Sequence, residues 1–221
     1  MDQRTKVILD FSANTHKNET SIIRKAINEI KSFDTGKCRI IFKSQLFEEA
    51  GENIVCDRSV FEFMHGYCND SGYECTASVF DKSSLDFLLK FDIPFVKIAN
   101  NEKFYHLCDE VPRRFPTYVS IGHNNLYRDD LPKIKTPKHT DVKMCCISKY
   151  PASIEDYEDN FESHHGFSLL KNGQISDHTI GLDLFNKYTP RIWEKHLKLS
   201  DSTGLDAGAF AITPKELSTI I

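Results

Sequence analysis

Residues 73–100 read YECTASVFDKSSLDFLLKFDIPFVKIAN, and the fold turns on how this stretch is parsed. Its two ends, YECTASVF and PFVKIAN, are short apolar runs of strand length. Between them DKSSLDFLLKF carries apolar residues at helical spacing and opens on Asp81, a residue type suited to a helix start. Strand, helix, strand in this order implies two parallel strands joined by a crossover. The same unit recurs in both directions. Upstream, KVILDF (6–11) is followed by ETSIIRKAINEIKSF (19–33), in which Ile22, Ile23, Ala26 and Ile27 form one apolar face. CRIIFKSQ (38–45) is followed by RSVFEFMHGYC (58–68), with Asp57 placed as N-cap. Downstream come NEKFYHLCDEV (101–111), the strand TYVSIG (117–122) and a Pro- and charge-rich connection, HNNLYRDDLPKIKTPKHTD (123–141), with weak helix signals. VKMCCIS (142–148) precedes SIEDYEDNFESHH (153–165), GQISD (173–177) precedes IGLDLFNKY (180–188), and RIWEKHLKL (191–199) precedes TPKELSTII (213–221).

Eight strand candidates, most trailed by a helix, predict a (β/α)8 TIM barrel, and 221 residues make it a compact, somewhat truncated one. The whole chain, 1–221, reads as a single domain. A doubly wound open sheet is the alternative; the first βα turn lacks the G-x-G-x-x-G of a dinucleotide site. The hydrophobic fraction of 40% and charged fraction of 27% are those of an ordinary globular protein. A net charge of −4, with no basic run longer than a pair, argues against a nucleic-acid partner. Apolar runs too short for a membrane span or signal peptide make the cytoplasm the expected location. The seven cysteines, 38, 56, 68, 75, 108, 145 and 146, form no CxxC pair and no zinc spacing, so reduced thiols filling the core are expected. Adjacent Cys145 and Cys146 should face opposite sides of their strand.

The strand ends carry polar groups in step: Asp10, Lys43 with Gln45, Ser78, Lys97, Ser120, Ser148, Ser176 with His178, and His196. An unpaired lysine inside a buried sheet is costly, because desolvation penalises its charge. At the C-terminal mouth of a barrel, where active sites collect, it can meet a solvated anion instead. Each residue also has an ordinary reading. His178 before Thr179 suits a helix cap, His196 suits a satisfied core imidazole, and the serines suit strand exits. Histidines 16, 65, 106, 123, 139, 164 and 165 read as surface or local residues.

The blocks FKSQ (42–45), SVFDKSSLDFLLKFDIPFVKIANNE (78–102), SKYPASIEDYEDNF (148–161), ISDHTIG (175–181), EKHLKL (194–199) and GLDAGAFAITPKEL (204–217) resemble, in order and spacing, the sialic acid synthase family. The resemblance runs from about Val7 to Pro214. It implies a barrel that condenses phosphoenolpyruvate with an aldose such as N-acetylmannosamine, giving a nonulosonate-type 2-keto acid and phosphate. It implies a divalent cofactor, Mn2+ or Mg2+, held by His178 and His196, and phosphoenolpyruvate held by Lys43 and Lys97. Ser78, Asn100, Ser120, Ser148 and Ser176 match its small polar anion-contacting positions. Gln45, Tyr150 and Asp206 match positions near the sugar, and Glu102 matches a proton-transferring glutamate. Asp10 aligns with an acidic residue at the end of the first strand. Glu102 reads equally as a helix N-terminal acid, and Asp206 as a turn residue.

The chain also departs from the family pattern. DFSANTH stands for EIGxNH, so only Asp10 and Asn14 line up. Ser78 replaces a threonine, Asn100 a phosphate-binding serine, and Cys145 a histidine. The resemblance covers the barrel only, without the C-terminal antifreeze-like domain of the relatives. The partners it implies are therefore a homodimer or a separately encoded C-terminal domain. The alternative function is a catalytically altered barrel that binds phosphoenolpyruvate or a sugar as an accessory subunit.

Overall fold

The structure, a computed structural model, describes residues 3–49, 51–122, 140–162 and 168–221. Eight parallel strands close into a barrel in chain order: β1 Lys6–Asp10, β2 Arg39–Leu46, β3 Glu74–Val79, β4 Val96–Ile98, β5 Thr117–Ile121, β6 Val142–Cys146, β7 Gln174–Asp177 and β8 Ile192–His196. Closure is made by β8 against β1, where Asp10 stands beside His196, while on its other side Asp10 stands beside Lys43 of β2. All eight expected strands are present, each within its sequence segment except β2, which runs one residue further, to Leu46.

The helices are α1 Ala13–His16, α2 Thr20–Phe33, α3 Arg58–Ser71, α4 Lys82–Leu88, α5 Ile154–Phe161, α6 Asp183–Tyr188 and α7 Pro214–Leu217. Ile23, Ala26 and Ile27 of α2 are buried, as their spacing requires, with Ile30 extending the stripe. The segment after β4 differs from expectation in being a 3-10 helix, Glu102–Glu110. Asp81 caps α4 by accepting from Ser84 N at 2.7 Å, whereas Asp57 occupies the N-cap position of α3 without its side chain closing a cap bond. Most of 123–141, and His123, His139, His164 and His165, lie outside the described residues. Among the described residues no helix is long and apolar enough to cross a membrane.

Strand alternation sorts the side chains into two cores. Outward residues such as Val7, Leu9, Ile40, Phe42, Val96, Val119, Ile175 and Trp193 join the helices in one continuous apolar layer. Inward, Ile8, Ile41, Phe95, Tyr118, Met144 and Ile192 plug the lower barrel, with Phe95 and Tyr118 stacked at 4.0 Å. One step further along each strand the inward positions turn polar, so the site rests on an apolar floor. Cys145 faces the outer layer and Cys146 the interior cavity, and all seven cysteines are free and buried. His16 is not a surface residue: it is fully buried against Phe11, and His65 is nearly so beside Phe61 and Phe91.

Candidate active site at the barrel mouth

A cavity of about 400 Å3 opens at the C-terminal ends of the strands. Its lining includes every candidate named from the sequence except Glu102: Asp10, Lys43, Gln45, Ser78, Lys97, Asn100, Ser120, Ser148, Tyr150, Ser176, His178, His196 and Asp206. Glu102 is exposed in the first turn of its 3-10 helix, where an acid complements the N-terminal partial charge.

The base of the cavity is a network of buried charges. Lys43 is 1% and Lys97 2% exposed, so neither lysine waits in water at the mouth as its strand-end position suggested. Lys43 Nζ lies 2.7 Å from Asp10 Oδ2 and donates to Ser78 Oγ at 2.8 Å. Lys97 Nζ donates to Ser120 Oγ at 2.6 Å. Between the two stands Glu194, with Oε1 3.3 Å from Lys97 and Oε2 3.8 Å from Lys43, its Oε1 also accepting from Ser176 Oγ at 2.9 Å. Burial alone would raise the Glu194 pKa; the two ammonium groups outweigh it and hold the carboxyl well below its usual range. Burial likewise works against the charge on Lys43, but Asp10 and Glu194 more than restore it. Reading along the chain overlooked Glu194 because it sits mid-strand in RIWEKHLKL rather than at an end. The detectable signal was parity: counting back two from His196 places it on the same inward face.

Above the lysines two imidazoles face each other, with ring centroids of His178 and His196 5.5 Å apart. His178 Nδ1 lies 2.6 Å from the carbonyl oxygen of Ile147. That contact requires Nδ1 to carry the proton and leaves Nε2 as a bare lone pair. Burial, reinforced by the neighbouring His196, lowers the His178 pKa to about 3, so the ring is neutral. His196 Nδ1 is buried without a hydrogen-bond partner, 3.9 Å from Asp10 Oδ2 and 3.8 Å from Asp206 Oδ1. Tyr150 packs against His178 at 4.2 Å with the rings tilted by 35°, and meets Phe210 edge-on at 5.1 Å.

The rim toward β1 and β2 is made of amides and carboxylates. Asp206 accepts from Ser12 and, at 2.9 Å, from Asn14 Nδ2, which also donates to Asn53 Oδ1. Gln45 Nε2 donates to Asp10 Oδ2 at 3.0 Å. Gly204 makes this arrangement sterically allowed: at φ +127° a Cβ would stand 2.0 Å from the Asn14 carbonyl oxygen. Asp206 belongs to a single 3-10 turn, Leu205–Ala207, and to the cavity at once. On the opposite rim Asn100 Nδ2 donates to Ser148 Oγ at 3.0 Å, while its Oδ1 accepts from Gly122 N at 2.9 Å. Asn53, Phe210, Cys146 and Glu194 are lining residues that the sequence did not mark as candidates for the site. The first two lie in loops, where no periodicity marks them.

The sequence profile of the NeuB family matches residues 16–221. Over 191 residues the chain is 28% identical to the pseudaminic acid synthase of Campylobacter jejuni, covering 80% of this chain and 53% of that protein. The chain thus spans about half the length of the curated relatives it matches. Among solved structures, a putative spore coat polysaccharide biosynthesis protein E from Chromobacterium violaceum superposes with TM-score 0.71 at 16% identity, covering 98% of this chain and 72% of that one. The N-acetylneuraminic acid synthetase of Leptospira borgpetersenii, solved with citrate, gives 0.64 at 17%, covering 98% and 81%. A truncated 3-deoxy-D-arabino-heptulosonate 7-phosphate synthase from Thermotoga maritima gives 0.62 at 8%, covering 99% and 84%. These three show the barrel fold.

Proposed function

The chain belongs to the NeuB family, and from that premise and the cavity above we propose that it condenses phosphoenolpyruvate with an open-chain aldose to give a nonulosonate-type 2-keto acid and phosphate. The observation that carries the reading is the pairing, in one cavity, of two buried lysines, each with a hydroxyl partner, and two neighbouring imidazoles. Phosphoenolpyruvate bears a phosphate and a carboxylate, and ammonium plus hydroxyl donors suit both. Lys43 with Ser78 and Lys97 with Ser120 bind these groups, leaving Asp10 and Glu194 to hold the ammonium ions in place. Asn100 and Ser148 offer further donors where the family carries serine. The polyol chain of the aldose lies toward Gln45, Asn53 and Asp206, and Tyr150 and Phe210 shield the reacting carbons from water.

The imidazole pair suits a divalent cation, since His178 Nε2 is unprotonated and His196 Nδ1 is a buried nitrogen lacking a partner. Among the described residues no group of three His, Cys, Asp or Glu side chains is arranged to hold a metal, so His178 and His196 are the residues that would hold it. Mn2+ or Mg2+ bound there supplies Lewis-acid polarisation of the aldehyde oxygen. The vinyl carbon of phosphoenolpyruvate adds to the aldehyde carbon, whose oxygen takes a proton to become a hydroxyl; water adds at the carbon bearing the phosphate and gives up a proton, and that carbon expels phosphate to leave the 2-keto group. Proton movement in that step falls to Asp10, whose Oδ1 has no hydrogen-bond partner, because Glu102 does not reach the cavity and Glu194 is held as a carboxylate by both lysines.

The test is phosphate release from phosphoenolpyruvate across an aldose panel, N-acetylmannosamine included, with Mn2+ or Mg2+. Release should require sugar and metal together. Lys97→Met should lower kcat/KM by roughly 10²–10³ through loss of one charged donor, and His178→Ala should abolish turnover. Folded protein that releases no phosphate with any sugar and metal would sink the proposal. The second reading, a ligand-binding barrel without turnover, draws on the fact that both lysines are already neutralised by Asp10 and Glu194. It predicts thermal stabilisation by phosphoenolpyruvate with no phosphate formed.

A further inference from the structure

A second buried ion pair lies on the opposite face of the same two strands, outside the cavity. Asp177 of β7 and Lys195 of β8 are both fully buried, with Oδ1 and Nζ 3.2 Å apart. Each immediately precedes one imidazole, Asp177 before His178 and Lys195 before His196. Asp177 Oδ1 accepts from both the backbone N–H and the hydroxyl of Thr179, each at 2.7 Å. Its Oδ2 accepts from Trp193 Nε1 at 2.9 Å. Lys195 Nζ donates to the Thr179 carbonyl at 2.6 Å. Thr179 is therefore clamped through its N–H, hydroxyl and carbonyl, and Asp177 is clamped through both oxygens. His178 is the single residue between them.

We propose that Asp177 and Lys195 are positioning residues that set the separation and aim of His178 and His196 from behind the barrel wall. A buried ion pair adds little net stability over apolar neighbours of the same shape. Its directional bonds do, however, fix where the backbone leaves each strand. Here the bonds run from β8 to the residue after His178, so the two imidazole-bearing strand ends cannot shift relative to each other without breaking them. Neither Asp177 nor Lys195 lines the cavity, and neither contacts substrate. Their effect reaches the site only through the two rings. The inference rests on the reading of the imidazoles as a cation site.

The experiment is Mn2+ binding by paramagnetic resonance titration of the whole chain, with thermal unfolding measured on the same samples. The double variant D177N/K195M removes both charges and leaves no unpaired ion in the wall. It should fold cooperatively yet bind Mn2+ roughly 10- to 100-fold more weakly, the usual cost of losing groups that orient metal ligands. Lys195→Arg, which keeps the charge but puts a bulkier planar donor into a fully buried site, should show an intermediate loss. Wild-type affinity in the folded double variant overturns the proposal while leaving the cation site intact. Wild-type protein that binds Mn2+ no better than His178→Ala overturns the cation reading and this inference with it. Should the double variant not fold, Thr179→Val, which deletes only one hydroxyl contact to Asp177, is read instead. A several-fold weakening supports the clamp, and unchanged affinity overturns it.

Discussion

Glu194 is the residue on which the charge balance of the cavity depends. It is 6% exposed, touches both lysines and Ser176, and leaves Oε2 without a hydrogen-bond donor. Removing one partner of a buried ionic network leaves the other charge uncompensated, at a cost of about 3–5 kcal/mol. Glu194→Ala should lose stability of that order in denaturant titrations. If the lysines are an anion cradle, saturating phosphoenolpyruvate should restore more stability to Glu194→Ala than it adds to wild type, because the ligand then supplies the missing negative charge. Equal ligand-induced shifts in the two proteins would show that the anion binds elsewhere. Glu194→Gln keeps an acceptor for Ser176 and should fall between them.

At the level of elements, the helix starts separate two aspartates that look alike in sequence. Asp81 accepts from Ser84 N and from the Ser84 hydroxyl, and also from Glu48 N, so it joins the α4 start to the loop after β2. Asp57 holds the N-cap position of α3 with extended backbone but no side-chain cap bond. Asp81→Ala should therefore cost about 1–2 kcal/mol, while Asp57→Ala should change stability by no more than about 0.5 kcal/mol. Thermal or urea unfolding of the two variants side by side measures the difference, and equal losses would contradict it. Strand existence was legible at this scale because inward and outward positions of a buried parallel strand are both mostly apolar, giving compact runs such as KVILDF and TYVSIG. The 3-10 character of Glu102–Glu110 was not legible, since NEKFYHLCDEV has the composition of an ordinary helix and hydrogen-bond spacing leaves no mark on composition.

For the whole molecule, acid should cost stability through His16 as well as through His178, whose pKa burial lowers further. Burial lowers the His16 pKa from 6.5 to about 4, only partly offset by a backbone hydrogen bond, and the His16 Nε2 has no partner. The unfolded chain therefore takes up a proton below about pH 6.5 that the folded chain refuses until about pH 4. The sign is destabilising as pH falls through that window, with a total of about 3 kcal/mol. Urea unfolding at intervals from pH 7 to pH 4 should show this loss, and His16→Leu should flatten the corresponding part of the slope. A variant with the wild-type slope would remove His16 as a cause. The order of strands, the closure into a barrel and the polar strand-end residues at the mouth were written in the chain, because strand ends are marked by the switch from apolar to polar residues. Charge partnership was decided only by closure. β8 must come round to β1 before Glu194 can stand between Lys43 and Lys97, or His196 beside Asp10, and no spacing along one strand encodes a contact across the barrel.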